Sequence, residues 1–382
     1  VHATTLDVLN NGKISSNTWS NGNAGSVKII SNESLILNGK GTDKITGIRS
    51  TVNSSGHGNA GQITVTAKNF KILDGADVSS DTWSSGDGGS VQISSDKFTI
   101  DGQGYTGFTG VSSTANTNST GDAGNVTVHA TTLDVLNNGK ISSNTSAKGK
   151  AGEVFVTADN LSIDGKGSSL PTGISSDSNA NSMNSAGVVT VNTKNLKIIA
   201  GGDIRSDTWS LGKAGEVFVT ADNLSIDGKG STFSTGIYTN AVLGSEGNAG
   251  TVNIKTKNIE IINGGSISSE TSAKGNAGDV FIFSNKLAID GQNTRVSSAA
   301  NEESSGNIGN VLIKTNDILT LTNSGKVSIE NLSDHKTDSS GYINVSTSSI
   351  EMDKGLITSN TTGNSAAGNI DINFINRLNM KN

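Results

Sequence analysis

The sequence predicts an all-β fold, a single-stranded right-handed parallel β-helix that winds through about 12 coils. Three observations predict it: glycines recur at spacings that alternate between about 28 and 35 residues, short alternating apolar segments follow them, and large apolar side chains are scarce. Such spacing is typical of repeat proteins, in which each unit buries its apolar face against its neighbours. The right-handed sense follows from the general rule for parallel crossover connections.

The composition excludes a thick globular core. The 382 residues include 48 Gly, 1 Pro and no Cys, and only 32% are hydrophobic and 4% aromatic. A chain of this kind either stays disordered or builds a thin core that extends along one axis. Because Val and Ile recur on a regular schedule, we predict the thin, ordered core.

Charge and hydropathy argue against two classes of partner. The formal net charge is −6 and the isoelectric point is near 5.3, so the chain offers no basic surface to nucleic acid. No apolar run approaches the roughly 18 residues of a membrane-spanning helix, so we expect no membrane span. We also expect no cofactor and no metal, because no P-loop or metal-ligand spacing stands out.

The glycine that precedes each Val-x-Val or Ile-x-Val strand, here called the marker glycine, defines the repeat. A short and a long unit together span 63 residues, and the segment AGEVFVTADNLSIDGKGS occurs from Ala151 and again from Ala214, 63 residues later. After Gly278 the spacings become 31, 32 and 27 residues. We therefore predict one continuous repeat domain over 1–382, with less regular coils over 279–382. Val1 lies within the pattern, which indicates a fragment of a longer chain.

Each unit contains three short strands by their alternation, which predicts a triangular coil. Neighbouring coils stack at the strand spacing of about 4.8 Å. In the unit after Gly124 the inward positions are Val126, Val128 and Ala130, then Leu133 and Val135, then Ile141 and Ser143. Small residues in the third strand indicate a tight corner or an inward hydroxyl ladder; they are Ser16, Ser80, Ser143, Ser206 and Ser269.

The long units carry an insertion of about seven residues after the second strand. It is found in the segments DGQGYTGFTGVSS, DGKGSSLPTGISS and DGKGSTFSTGIYT. Because the core strands resume beyond it, we expect the insertion to bulge from one edge of every second coil.

The most regular acidic feature is a row that we call the turn ladder. Its members are 63 residues apart and occupy one position of the repeat, namely Asn38, Asp101, Asp164, Asp227 and Asp290. One interpretation is a row of calcium ligands, but carboxylates two coils apart, roughly 9.6 Å, do not share an ion. Asp-Gly is also a strong turn pair. We therefore interpret the row as turn chemistry.

Three tryptophans occupy one place in the short units, in NTWS, DTWS and DTWS: Trp19, Trp83 and Trp209. Ser146 and Ser272 take the same place in other short units. A tryptophan in a Gly/Ser-rich loop either covers an open edge of the coil or stacks on a sugar ring or another rod. Both interpretations stay open from the sequence, so these residues are candidate surface contacts.

Catalysis is not expected. Polysaccharide-degrading β-helix enzymes need an irregular cluster of acids or arginines in one groove. Here most acids occupy repeated corners or loops, and the four histidines are isolated in the sequence. We therefore predict that the chain is not an enzyme, with no catalytic, cofactor-binding or metal-binding residues.

The unit GNAGxVxVxAxxLxIxxGxxIxSxT, seen from Asn59, Asn248 and Asn276, resembles the repeats of filamentous-haemagglutinin-like exoproteins. These are large adhesins of two-partner secretion, and the resemblance covers nearly the whole chain. It implies export through an outer-membrane barrel transporter and folding outside the cell into a right-handed β-helix. The family's amino-terminal secretion motif is not in this sequence.

These observations together predict a structural or adhesive rod, secreted or at the surface of a Gram-negative-type bacterium. Its expected partners are the barrel transporter and either a glycan, another cell-surface ligand or like rods packed laterally. Two alternatives stay open: a β-helix enzyme that degrades polysaccharide, and a purely architectural sheath or surface-layer subunit.

Overall fold

The computed structural model describes residues 1–40, 45–333, 335, 340–362 and 364–381. All regular elements in these ranges are β-strands, and all strand pairs are parallel. The strands form two sheets whose order follows the chain, so odd-numbered strands stack in one sheet and even-numbered strands in the other. The predicted parallel β-solenoid of about 12 coils is thus confirmed, whereas its handedness stays a prediction.

The first sheet has 13 strands, mostly of 11 or 12 residues. They are β1 (His2–Leu9), β3 (Val27–Asn38), β5 (Ile63–Leu73), β7 (Val91–Asp101), β9 (Val126–Leu136), β11 (Val154–Asp164), β13 (Val189–Ile199), β15 (Glu216–Asp227), β17 (Thr251–Ile262), β19 (Val280–Asp290), β21 (Val311–Thr322), β23 (Tyr342–Asp353) and β25 (Asn369–Lys381).

The second sheet has 12 shorter strands. They are β2 (Lys13–Ser15), β4 (Thr46–Arg49), β6 (Ala76–Ser79), β8 (Thr109–Ser112), β10 (Gly139–Ser142), β12 (Thr172–Ser175), β14 (Gly202–Arg205), β16 (Thr235–Tyr238), β18 (Gly265–Thr271), β20 (Arg295–Ala300), β22 (Lys326–Asn331) and β24 (Leu356–Thr361).

The prediction of three separate strands per coil is wrong in one respect. The first two predicted strands are one continuous strand that bends in the middle. In β9, Val128 and Leu133 are buried, while Thr131 and Thr132 both lie on the outer side of the bend. Pairing with β11 continues on either side and omits only residue 131. Two successive outward residues turn the corner without interrupting the parallel hydrogen bonds, so alternation alone suggests a break where there is none.

A third row of contacts closes the coil. Beyond each short strand of the second sheet, one residue forms a parallel bridge with its equivalent in the next coil. The row consists of Thr18, Val52, Thr82, Ala115, Thr145, Ser178, Thr208, Ala241 and Thr271. From β18 onward this row joins the strands of the second sheet, which lengthen to six or seven residues. The later coils therefore have a longer second-sheet strand.

The core is one continuous apolar column that runs from Val8 to Met352. Each inward position stacks on an apolar residue of the adjacent coil, as Val156 does on Val128 and Val191. Phe70 and Phe98 add a parallel ring stack with centroids 4.7 Å apart. Burial of each such side chain contributes roughly 1.5–3 kcal/mol. No coil has a core without its neighbours, so stability depends on the stacking.

An inward hydroxyl ladder confirms one of the two interpretations of the small third-strand residues. The buried Ser143 Oγ accepts the Gly152 N–H at 3.0 Å and lies 2.7 Å from Gly124 O and 3.1 Å from Ser113 O. A Cβ on Gly152 would lie 2.3 Å from Gly124 O, which is why the marker position requires glycine. The ladder lets a polar corner be buried with its hydrogen bonds made.

The corner between the two sheets has a short and a long form. In short coils it is a two-residue turn, such as Asn137 and Asn138, with φ angles of 46° and 71° in the left-handed region. In long coils it is a seven-residue loop, such as 102–108. The predicted single insertion of about seven residues is therefore divided between two places in the long coil. One part lengthens the corner loop, and the other lengthens the loop after the bridge residue, which runs from Ala115 to Gly124.

Candidate ligand-binding groove

The outward side chains of the second sheet form the floor of a groove. They lie in columns along the rod, since each coil places equivalent residues in register. In β14 the inward residue is Ile204, so Asp203 and Arg205 point outward. Two residues further on, Asp207 points the same way. The sequence Asp-Ile-Arg-Ser-Asp thus presents three ionisable side chains on one face.

One wall of the groove is made by the long corner loops. The loop 228–234 folds back over the short corner of the preceding coil, where a Cβ on Gly201 would lie 2.6 Å from Ser231 Oγ and 3.4 Å from Phe233 Cβ. The opposite wall is made by the loops that follow the bridge residues, one of which carries Trp209. Residues that point away from the core are therefore still shielded from water.

The Arg205 cluster, which consists of Arg205, Asp177, Asp203 and Asp207, is the densest group of charges on this floor. The guanidinium lies 3.1 Å from Asp177 Oδ2, 2.6 Å from Asp203 Oδ2 and 3.9 Å from Asp207 Oδ2. All three aspartates are nearly inaccessible, with 1% to 6% exposure. One arginine thus faces three buried carboxyl groups.

The carboxyl groups of Asp177 and Asp207 also continue a ladder along the rod. Asp177 Oδ1 accepts the Asp207 N–H at 3.0 Å, and Asp207 Oδ1 accepts the Asn240 N–H at 2.6 Å. The Oδ1 atoms of Asn144 and Asn240 likewise each accept a backbone N–H from the coil that follows. Because asparagine serves equally well in this ladder, the backbone does not require a charge at these positions.

Burial and mutual repulsion shift the titration of the cluster. Burial, and then the charge of Asp177, raises the pKa of Asp207 to about 8. Burial also raises the pKa of Asp203, against the opposing effect of Arg205. Burial and the charge of Asp177 therefore favour the protonated form of Asp207, which offers an O–H donor as carboxyl groups in general acid sites do.

A cavity of about 380 Å³ lies above this floor. Its lining combines aromatic, amide, hydroxyl and charged groups, contributed by Pro171, Asp203, Arg205, Asp207, Trp209, Phe233, Ser234, Tyr238, Asn240, Gly264, Ser266, Ser268, Glu270, Asn293 and Arg295. The volume falls within the range of small-molecule sites. We call this cavity and its lining the groove site.

The groove site has ordered side chains at both ends. The Trp209 ring centroid lies 5.7 Å from the Arg205 guanidinium carbon, within the distance of a cation–π contact. Ser266 Oγ donates to the Tyr238 hydroxyl at 3.2 Å. At the far end, Glu270 Oε1 accepts from Arg295 at 3.2 Å and from Ser297 Oγ at 2.8 Å. Arginine and aromatic positions are therefore held before any ligand arrives.

A related group, the Arg49 cluster of Arg49, Asp77 and Asp81, lies two repeat pairs earlier. Arg49 binds Asp77 through two nitrogens, with Nε 3.0 Å from Oδ1. Asp81 Oδ1 accepts the Thr114 N–H at 2.8 Å. Burial raises the pKa of Asp77 to about 6 and also raises that of Asp81. This cluster contains two carboxyl groups rather than three.

The three tryptophans differ in their surroundings. Trp19 and Trp83 are 66% and 45% exposed, whereas Trp209 is partly buried against Arg205. Trp209 is thus the one that the structure places in the groove site.

The turn ladder lies at the end of the first-sheet strands. Its carboxyl and amide oxygens accept backbone N–H groups two residues on, as Asp101 does from Gln103 at 2.9 Å and Asp164 from Lys166 at 2.8 Å. Asn38 and Asp227 make the same bond. Asp290 instead accepts from Thr322 Oγ1 at 2.6 Å. In the register of the first sheet an apolar residue, such as Leu136, separates Asp101 from Asp164.

Two further findings concern the described part of the chain. There, no group of three or more His, Asp or Glu side chains is arranged to hold a metal ion. No helix in the same ranges is long and apolar enough to cross a bilayer.

Sequence reasoning missed the groove site because its acids were interpreted as repeated corner residues. The signal was present in the spacing Asp203, Arg205, Asp207, which alternates outward in a strand. The equivalent positions two repeat pairs earlier are Asp77, Ser79 and Asp81, so the two segments differ by an arginine in place of a serine. What the sequence did not reveal is that Asp177 of the preceding coil and the loop 228–234 converge on the same place.

Comparison of this chain with family models, curated proteins and solved structures gave no match.

Proposed function

We propose that this chain is a stiff section of a secreted or cell-surface rod whose loops make adhesive contacts. The observation that carries the proposal is the unbroken parallel pairing of strands from β1 to β25 over one continuous core. A stack of this kind resists bending because every coil is hydrogen-bonded to its neighbours along two sheets. It therefore suits a spacer that holds a binding surface at a distance.

The adhesive part of the proposal rests on the loop column. Trp19 and Trp83 expose large aromatic surfaces, which suit stacking on a sugar ring or lateral contact with a like rod. The repeat-based resemblance supports an outer-membrane barrel transporter as the export partner and the surface of a Gram-negative-type bacterium as the location.

The test of adhesion replaces all three tryptophans by serine, the residue that Ser146 and Ser272 place in the same column. Attachment of fluorescent beads coated with the chain to glycan-coated and cell surfaces should fall, while small-angle scattering should report the same rod. Unchanged attachment would contradict the loop contacts. Ordered sheets or tubes on native cells, in place of isolated fibres, would favour the sheath alternative.

A second candidate function is favoured by the Arg205 cluster. A carboxyl group whose pKa is raised by burial, beside others that share a cation, is a combination that polysaccharide hydrolysis uses. Incubation of the chain with a panel of plant and bacterial polysaccharides tests this. Release of reducing ends that Asp207→Asn abolishes would support it, and no release by the folded rod would exclude it.

A further inference from the structure

We propose that the groove site binds a segment of an uncharged oligosaccharide. The inference rests on the adhesive part of the proposed function. It assigns glycan binding to one place, the coils that contain strands β14 to β20, and to one class of ligand. Three features of the groove site carry it: aromatic walls, unused polar groups on its floor, and the state of its charged groups.

The walls supply apolar faces on both sides. Trp209 lines one side, and Phe233, from the loop 228–234, lines the other. Sugar rings present C–H faces that pack on aromatic side chains, while their hydroxyls bind polar groups at the edges. The mixture of rings with Asn240 and Asn293 around one cavity matches this division.

An unused hydroxyl on the floor points independently to a ligand. Ser268 is 1% exposed and lines the cavity. Its neighbours in the column are Tyr238 and Ser297. Within the described residues the Ser268 hydroxyl makes no hydrogen bond, whereas Ser266 and Ser297 are both engaged. Ser268 Oγ is not among the described side-chain oxygens that are sealed from solvent without a partner, so it is open to the cavity and can bond a sugar hydroxyl there.

The charges disfavour an acidic ligand. Both guanidinium groups already contact carboxylates, Arg205 with Asp203 and Arg295 with Glu270. With Asp177, the carboxyl groups around the cavity outnumber the guanidinium groups four to two. A uronic acid or sulfated sugar would meet these carboxyl groups beside two guanidinium groups that already have carboxylate partners. An uncharged sugar would instead donate its hydroxyls to the carboxyl groups of Asp203, Asp207 and Glu270, which line the cavity.

The test uses tryptophan fluorescence. In the variant with Trp19→Phe and Trp83→Phe, Trp209 is the one remaining tryptophan, so its emission reports on the groove site. Cellohexaose, laminarihexaose and chitohexaose are titrated at pH 7, with hexagalacturonate as the acidic probe. We expect at least one uncharged hexasaccharide to change the emission in a saturable way, with at least about tenfold higher affinity than the acidic probe.

Matched variants in the same background locate the binding. Ser268→Tyr fills the cavity with the residue that the preceding coil carries at Tyr238, and Phe233→Ala removes a wall without adding bulk. Each should lower affinity about tenfold or more. Ser142→Tyr occupies the same column four coils before Ser268 and should leave affinity unchanged.

Three outcomes would overturn the inference: no emission change with any uncharged probe, tighter binding of hexagalacturonate, or undiminished binding by Phe233→Ala. Small-angle scattering is measured on the same samples, and bead attachment is measured on the chain that retains Trp19 and Trp83, with and without Phe233→Ala. A rod that still attaches through its loops while the groove site stays empty would refute this inference alone and leave the adhesive rod proposal standing.

Discussion

The Arg49 and Arg205 clusters occupy equivalent places in the repeat, yet they are built differently. Asp77 and Asp203 are 126 residues apart, two repeat pairs, as are Asp81 and Asp207. Between them stands Ser79 in one cluster and Arg205 in the other. In the Arg49 cluster the cation comes from the preceding coil, whereas in the Arg205 cluster it lies in the same strand as Asp203.

The preceding coil adds the second difference. In the row of positions where Asn and Asp side-chain oxygens accept the backbone N–H of the next coil, the preceding coil places Thr51 before Asp81 but Asp177 before Asp207. The Arg205 cluster thus holds one more buried carboxyl group around its single cation, and the charge of Asp177 adds to burial in raising the pKa of Asp207 to about 8. A regular repeat structure can therefore hold a specialised site when two neighbouring coils each replace the usual residue at one position, as Arg205 and Asp177 do.

The largest expected effect is the loss of the central cation. Arg205→Ala leaves three buried carboxyl groups without the cation that contacts them and should lower the free energy of unfolding by about 3–5 kcal/mol at pH 8. Arg49→Ala should cost less, about 1–3 kcal/mol, because Arg49 makes direct contact with one carboxylate. Chemical denaturation together with hydrogen exchange of the β14 and β4 amides measures both. Equal losses would break the comparison.

A control for this pair is Lys68→Ala, which removes the exposed contact with Glu33. Both side chains of that ion pair are more than half exposed. The change should alter stability by less than about 1 kcal/mol.

The next effect is a pH dependence that differs between Asp207 and Asp77. A carboxyl group whose pKa is raised on folding binds a proton in the folded state that the unfolded chain has released, so stability falls as pH rises. For Asp207 this fall extends from about pH 4 to about pH 8, and for Asp77 it ends near pH 6. Asp207→Asn keeps the acceptor for Asn240 and should be at least about 1 kcal/mol more stable than the natural chain at pH 9.

Denaturation series at pH 5, 7 and 9 measure this effect. At pH 5 the gain of the Asp207→Asn variant over the natural chain should be smaller than at pH 9, because most of the fall in stability caused by Asp207 lies between these two pH values. A variant that gains no stability between pH 5 and pH 9 would show that Asp207 is ionised throughout.

A smaller effect isolates the role of the extra acid. Asp177→Asn retains the acceptor for the Asp207 N–H but removes its charge, so the pKa of Asp207 should fall from about 8 by about one unit. Nuclear magnetic resonance titration of the Asp207 carboxyl carbon measures this. An unchanged pKa would assign the whole shift to burial.

The smallest effect concerns the tryptophans. Trp209→Ser should lower stability by about 1 kcal/mol, because the ring contacts Arg205 in a partly buried place. Trp83→Ser, at the equivalent exposed position, should leave the thermal midpoint unchanged. Equal shifts in thermal denaturation would show that the two rings contribute alike.

Much of this fold was predictable because its causes are local and periodic. Alternating Val and Ile identified the inward positions, and the marker glycines and inward serines identified the corner that they build together. The bend within the first sheet was not predictable from alternation, since two outward residues in a row look the same at a bend as at a strand end. The site was harder, because it combines coils that repeat the same pattern with small departures.

The sequence by itself determined the architecture of this protein, because the period, the apolar alternation and the glycine positions each admit only stacked coils with a thin core. Only the tertiary structure decided which departures from the repeat meet. Asp177 and Arg205 are 28 residues apart, and Arg295 is 90 residues beyond Arg205, yet stacking in register brings all three to one face. The physical reason is that equivalent side chains of successive coils lie one strand spacing apart. Residues that are distant in the sequence therefore become neighbours in a groove only when the coils stack.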